Sequence, residues 1–408
     1  MSKQKLIIIS TVLVDVIGFG IVIPILPFYV SEFGASAFVI TLLFSVFSFF
    51  AFLSNPFLGA LSDRLGRRPL LIVSLLITSV GWFVFAAARS IPLLFLGRII
   101  GGAGAGNFSV AQSYMIDIAG NEKERTTNIG LVGATFGVGL MIGPLIGSVL
   151  STVSHALPFW FAGAMALVNG TTAYFVLPES HHNRDADAPI TLNPILPIAR
   201  AFVEVSLRPL YAAWLLFGMA FFSSQSVFAL YVKDVFGLDA FTTGLLFTVM
   251  GVIVALNQAV LLNALWTKYF SEPALTLGMA ILLFAGVSVM ALPFIPLFLG
   301  GLVLMATGQS ILRVVLTSQV AARAHAMRKG EAIGNLASIM AASMVIAPML
   351  AGALFEMSAH LPYVAAAGFM LASFILLKKY LKIGGRKKVE THDINMHIQG
   401  ELQRPVDR

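Results

Sequence analysis

Twelve apolar runs, each about 20 residues long, leave this chain few ways to fold. At about 1.5 Å per helical residue each run is long enough to cross a bilayer core of about 30 Å. A backbone in lipid must satisfy its own polar groups, so each run is expected as a helix. The chain has 408 residues, 58% hydrophobic and 11% charged. That charge is far below the roughly 25% of a soluble domain, which makes this an all-α, polytopic membrane protein. The net charge of +7 is spread over loops and tail and does not form a nucleic-acid patch. The absence of cysteine excludes disulfides, thiol catalysis and Cys-ligated metal.

The spans are expected at 6–29, 38–60, 70–88, 92–115, 128–152 and 158–177, then at 210–232, 242–264, 274–292, 296–318, 332–355 and 361–380. The run from Leu6 to Tyr29 is too long for a signal-peptide core, although Ala35-Ser36-Ala37 resembles a cleavage site. It is expected to be kept as the first span. The two sets of six are six-helix bundles at 1–178 and 209–381. Between them lies a polar linker, 179–208, with His181, His182, Asp185 and Asp187 and breakers at Pro189, Pro194 and Pro197. Its composition suits a cytoplasmic connection with a short surface helix. A basic tail, 382–408, closes the chain.

The second set repeats the first at a shift of 204 residues. Pro69 maps to Pro273, Pro92 to Pro296, Gly97 to Gly301, Gly130 to Gly334, Pro144 to Pro348 and Pro158 to Pro362. These residues kink or punctuate helices, so their recurrence reports a duplicated, pseudo-symmetric architecture. Of the 26 Lys and Arg, only Arg89 and Lys233 fall in loops of one side, and Arg98 and Arg313 lie inside spans. The rest mark the other side, with both termini, as cytoplasmic.

Between the second and third spans the chain must turn within Gly59-Ala60-Leu61-Ser62-Asp63-Arg64-Leu65-Gly66-Arg67-Arg68-Pro69. Gly59 is expected to let backbones pack closely, Gly66 to adopt positive φ, and Pro69 to open the next helix. This stretch resembles the loop after the second helix of the major facilitator superfamily, G-x-L-S-D-R-x-G-R-R-x, at every fixed position. The resemblance implies two six-helix bundles that rock about a midplane site. It also implies a conformational latch of Gly59, Asp63, Arg64, Gly66, Arg67 and Arg68, with Asp117 as the partner of Arg67. Asp63 is expected to face the start of the eleventh span near Glu331, so that the charges tie the two halves together.

Asp15 is the only acid deep in the first six spans, about 13 Å from the end of its helix. Burial disfavours a charged carboxylate and a nearby cation favours it, so such a group takes up and releases protons as its surroundings change. The plainer reading is a fixed structural pair. Arg98, about 10 Å below the other surface, is the expected partner; its plainer reading is a snorkelling arginine. The surrounding Asp15-x-x-Gly18-x-Gly20…Pro24-x-x-Pro27 resembles the first span of the twelve-span drug:proton antiporters, the tetracycline-exporter-like group. Leu96-Gly97-Arg98-Ile99-Ile100-Gly101-Gly102-x-Gly104-x-Gly106 resembles their fourth-span motif, where the basic residue is implicated in proton transfer. The glycines there lack G-x-G-x-x-G spacing and a preceding strand, so they are read as helix packing.

Glycines three or four apart also line the fifth span, at Gly130, Gly133, Gly137, Gly139, Gly143 and Gly147, with Pro144 bending it near its outer end. Gly139, Gly143, Pro144 and Gly147 resemble the motif marking exporters that work by exchange; Ser148 departs from it, since many relatives have glycine there. The repeat fades at these chemical positions: Asp15 maps to Met219, Asp63 to Thr267, Arg67 to Ser271 and Arg98 to Leu302. Proton handling therefore falls to the first half. Polar residues in the apolar second half, with neighbouring aromatics, are the candidate ligand cavity: Phe221, Phe222, Gln225, Asn257, Gln258 and Gln309. Most buried amides bond a neighbouring helix instead, and Arg313 is expected to snorkel.

The resemblance implies a monomeric secondary transporter in the cytoplasmic membrane. It would export a lipophilic, drug-like small molecule in exchange for protons, with the proton gradient as energy source and no cofactor or metal. A lipid or glycolipid flippase and a proton-coupled importer share the fold. The spans offer no nucleophile–base arrangement and no P-loop, which argues against a membrane enzyme and an ATP-driven pump.

Overall fold

The computed structural model describes residues 3–180, 195–324 and 329–402. Among these, twelve helices are long and apolar enough to cross a membrane. We label them α1 (Gln4–Ser31), α2 (Ala37–Leu65), α3 (Arg67–Ala86), α4 (Ile91–Asp117), α5 (Glu122–Ser151), α6 (Leu157–Val176), α7 (Arg208–Phe236), α8 (Ala240–Tyr269), α9 (Glu272–Met290), α10 (Ile295–Arg323), α11 (Gly330–Met357) and α12 (Leu361–Lys382). Large apolar side chains such as Val80, Val168, Val249 and Val303 stay exposed on the bundle, as helices facing lipid require. The protein is an integral, multi-pass membrane protein. The expected linker helix is present at Leu196–Val203. His181, His182, Asp185, Asp187, Pro189 and Pro194 lie outside the described residues, as does the tail beyond 402. Helical backbone continues from α12 to Leu402.

Most helices run a few residues beyond the apolar runs, and polar caps set the starts of α2, α5 and α8. The largest correction is α5, expected from 128 and observed from Glu122. Asn121 accepts from the Glu124 amide at 2.9 Å as N-cap, and Glu124 reaches back to accept from the Gly120 amide at 2.9 Å, one residue before the cap. Asp239 caps α8 in the same way, accepting from the Thr242 amide at 2.8 Å. Bonding to Thr242 holds the Asp239 carboxyl below the usual range. Its stabilisation is therefore present at neutral pH and is lost as pH falls through that lowered value. Asp239→Ala should destabilise the protein by about 1 kcal/mol. The deficit should show as a lower melting temperature at pH 7 that narrows on acidification.

Two helices are broken where the sequence suggested continuity. In α4, Gly104–Gly106 form a turn between Ile91–Ala103 and Asn107–Asp117. In α8, Asn257–Trp266 winds as a π-helix, fastened by the Trp266 indole donating to Asn257 Oδ1 at 2.9 Å. The α2–α3 turn is Gly66 alone, at φ 105°, a backbone that other residues rarely adopt. Gly59 does not mediate close packing as expected: a Cβ there would meet nothing within 4 Å.

The two halves, α1–α6 and α7–α12, reuse the same contacts. A Cβ on Gly97 of α4 would lie 2.9 Å from Gly81 O of α3, and one on Gly301 of α10 would lie 2.7 Å from Gly286 O of α9. The halves meet along two seams, α2 on α11 and α5 on α8. We call the end of the bundle where α1 begins the N-terminal face. Cross-half contacts are tight at the opposite face. There the Phe38 amide donates to Glu356 Oε1 at 3.1 Å, and a Cβ on Gly244 would lie 2.9 Å from Pro144 O. Near the N-terminal face, Cβ atoms on Gly130, Gly133, Gly137, Gly330 and Gly334 would meet nothing within 4 Å. These faces of α5 and α11 look onto open space, and the bundle is parted there, with α11 also packed on the linker helix at Leu196–Val203.

Candidate functional site

A cavity of about 420 Å³ lies between the halves. Its walls come from α1–α5 on one side and α7, α10 and α11 on the other, and they include Phe19, Phe47, Trp82, Phe221, Phe222, Met340 and Met344. The charged lining residues are Asp15, Arg98 and Arg313. A void of about 30 Å³, lined by Arg98, Gln225 and Pro348, continues toward the opposite face. The volume and the aromatic wall with sparse polar groups suit a small amphipathic molecule.

Asp15 projects from α1, which is seated on α5 by the small-residue face. Gly139, Gly143 and Gly147 would place Cβ atoms within 2.8, 2.7 and 3.1 Å of Val16 Cβ, Ile17 O and Ile21 O. The glycine stripe therefore divides: its outer three residues pack against α1, while Gly130, Gly133 and Gly137 face open space. Asp15 is partly exposed to the cavity. Its Oδ1 has no hydrogen-bond partner, and the Asn107 side chain lies beside the carboxyl. Asn107 opens the second segment of α4, directly after the Gly104–Gly106 break. The glycine run thus aims a polar side chain at Asp15 as well as packing helices.

Arg98 does not pair with Asp15 as expected. It is 3% exposed. Its Nε donates to Leu43 O at 3.2 Å, and its guanidinium lies 4.2 Å from the centre of the Phe47 ring. Trp82 is next, at 5.7 Å. The planar guanidinium is held by stacking and by a helix carbonyl. It reaches the cavity as a neighbour of Asp15 and does not neutralise it. Phe47, Trp82 and Asn107 escaped the sequence reading; only Asn107 carried a signal, as an amide inside an apolar span.

Phe221, Phe222 and Gln225 line the cavity. Asn257, Gln258 and Gln309 are not among its lining residues. Asn257 is committed to Trp266 and to Ile253 O, and Gln258 donates to Ser310 O at 3.3 Å. Both are amides satisfied by helix neighbours. Arg313 does not snorkel to the surface; it lines the cavity.

At the N-terminal face Arg67 is 7% exposed. Its Nε meets Asp117 Oδ2 at 3.1 Å, and its Nη2 meets Asp63 Oδ1 at 2.5 Å. Glu179 accepts from the Arg67 amide at 2.9 Å, and Arg68 donates to Tyr174 O at 2.6 Å. These bonds knit the ends of α2, α3, α4 and α6 together within the first half. Among the described residues the expected tie between Asp63 and the start of α11 is not made: Asp63 turns to Arg67. The Arg67–Asp117 pair likewise lies inside one half and does not link the two.

The sequence profile of the Major Facilitator Superfamily matches residues 8–334. The chain belongs to that superfamily. Among its relatives is the class C tetracycline resistance protein of Escherichia coli, 28% identical over 393 residues, 93% of this chain and 97% of the relative. The quinolone resistance protein NorA of Staphylococcus aureus is 27% identical over 381 residues, 92% of this chain and 96% of the relative. Two solved structures share the fold. The human organic anion transporter MFSD10 (TETRAN) superposes with a TM-score of 0.69 at 22% identity, covering 92% of this chain and 100% of that one. A point mutant of the nucleoside transporter NupG gives 0.77 at 12% identity, covering 93% and 100%. This member of the Major Facilitator Superfamily is a transporter that moves a small molecule across a membrane.

Proposed function

We propose that the protein is a drug:proton antiporter that exports a lipophilic, drug-like molecule in exchange for protons. The observation that carries this reading is the Asp15 carboxyl, with an unpartnered oxygen, facing an aromatic cavity between two halves that are closed at one face and parted at the other. The Lys and Arg bias makes the N-terminal face cytoplasmic, so the parted side opens to the cytoplasm. Exchange requires that substrate and proton exclude one another. Substrate entering the cavity displaces the proton of Asp15, the halves rock, and a new proton at Asp15 releases substrate outward. No enzymatic step is needed, the proton gradient is the energy source, and one chain encloses the whole cavity, consistent with a monomer. Sequence likeness to proteins named for tetracycline and quinolone resistance supports the substrate class.

Inverted vesicles carrying the protein should accumulate tetracycline or a fluoroquinolone when their interior is acidified, and a protonophore should abolish the uptake. Uptake indifferent to the gradient would reject exchange.

Arg98 shapes the cavity beside Asp15. Arg98→Lys keeps a charge but loses the planar stack on Phe47 and the directed bond to Leu43 O. It should slow transport by about tenfold, matching the loss of one charged hydrogen bond. Initial rates in the same vesicles check this.

The loop from Gly59 to Arg68 acts as the latch of the cycle. In the parted state Asp63 is held by Arg67. On closure at the N-terminal face it turns toward the start of α11, where free helix amides favour an anion. Asp63→Asn keeps every arginine and so preserves topology. It also weakens the Arg67 pair of the parted state, but Arg67 keeps Asp117 there, so the loss should fall mainly on the closed state, shifting the equilibrium toward the parted state by about 1 kcal/mol and slowing turnover. Spin-label distances between the N-terminal-face ends of α2 and α11 should lengthen; an unchanged distribution with normal turnover removes the latch.

A further inference from the structure

We propose that the cavity takes amphipathic zwitterions, with the Arg313 guanidinium as fixed partner of the ligand's carboxylate and Asp15 facing its cationic end. The proposal rests on the export reading of the same cavity and assigns its substrate class. Among the described residues three charged side chains line the cavity, and they are differently committed. Arg98 is tied to Leu43 O and stacked on Phe47. Arg313 is exposed to the cavity. Among the described residues its guanidinium forms no hydrogen bond or ion pair; only its carbonyl is engaged, accepting from Thr317 Oγ1. The Asp15 carboxyl lines the cavity beside Asn107, with Oδ1 buried and without a hydrogen-bond partner. An intramembrane guanidinium is costly and persists where it meets a cavity or a ligand.

Depth places these two groups at one level. Asp15 lies about 16 Å along α1 from its start at Gln4, and Arg313 about 15 Å along α10 from its end at Arg323, at 1.5 Å per residue. Both ends are at the N-terminal face. An anion without an ion-pair partner on the first half and a cation without one on the second, among the described residues, therefore flank the cavity at one level. Phe221 and Phe222 add an aromatic wall to the same cavity. The sign of the coupling selects the ligand. A purely anionic ligand would be favoured by protonation of Asp15, so it would travel with the proton. A purely cationic ligand would compete with the proton but be repelled by Arg313. A zwitterion competes with the proton through its cationic end and meets Arg313 through its carboxylate.

Rhodamine B and its ethyl ester test this, because they share the cationic ring system and differ only in the free carboxylate. Fluorescence polarisation of each dye is read on the full chain in nanodiscs, with empty nanodiscs subtracted. The wild type should bind rhodamine B about tenfold more tightly than the ester, the gain from one charge-assisted hydrogen bond. Arg313→Gln should erase that preference by weakening rhodamine B alone, and Arg313→Lys should restore part of it. The melting temperature of each variant establishes folding. Equal affinity of the wild type for both dyes, or an Arg313→Gln variant that keeps the preference or loses both dyes together, overturns the zwitterion assignment. Gradient-driven tetracycline uptake separates the levels: if it persists, only the assignment falls; if it is absent, the export reading beneath it falls as well.

Discussion

Asp15→Asn should reduce pH-gradient-driven uptake into inverted vesicles to the level of vesicles without the protein, while leaving expression and melting temperature close to wild type. The substitution keeps the size and shape of the side chain and removes only its capacity to exchange a proton. Folding should tolerate it because Asp15 Oδ1 makes no hydrogen bond to lose. The helix itself is seated by Gly139, Gly143 and Gly147 against backbone atoms and Val16. A transporter whose coupling site is Asp15 should still bind substrate after the change, and its binding should lose pH dependence. Wild-type accumulation by the variant would move the proton site elsewhere.

Gly143→Ala should be strongly destabilising, and Gly137→Ala nearly neutral, although the two glycines lie on one helix. The added Cβ at 143 would sit 2.7 Å from Ile17 O and 2.9 Å from Gly20 Cα, both backbone atoms that move only with α1. Overpacking of this kind costs about 1–3 kcal/mol. It would also push away the helix that carries Asp15, so transport should fall with stability. At 137 the Cβ meets nothing within 4 Å, and replacing a helical glycine by alanine gains about 0.5–1 kcal/mol. Melting temperatures of the two variants, measured side by side in one detergent, check the contrast. Equal effects would mean that α1 and α5 do not make this contact.

The fold was legible because lipid leaves so few options. Long apolar runs, punctuating prolines and the 204-residue repeat placed all twelve helices, and the errors lay at helix ends, such as the one Asn121 caps, and at the interruptions inside α4 and α8. The site was legible only in part. Asp15 stood out as a carboxylate where carboxylates are costly, and Phe221, Phe222 and Gln225 as a polar and aromatic cluster. What failed was pairing. Opposite charges in neighbouring spans suggested that Arg98 meets Asp15, yet a helix carbonyl and the Phe47 ring hold the arginine instead. Span periodicity carries no information about which ring a guanidinium stacks on. Asn257 and Gln258 looked equally suited to a ligand, and the π-helical turn of α8 directs Asn257 onto Trp266. Arg313 was misplaced because its distance from a helix end suggested snorkelling, whereas its face of α10 turns inward.

The most direct test of coupling at Asp15 is proton release from purified protein. In a weakly buffered solution of nanodiscs at constant pH, adding tetracycline to the wild type should liberate protons in proportion to the ligand bound. Asp15→Asn should bind the same ligand and release none. Equal proton release from the two proteins, or ligand binding by the wild type without release, would contradict exchange at this carboxylate.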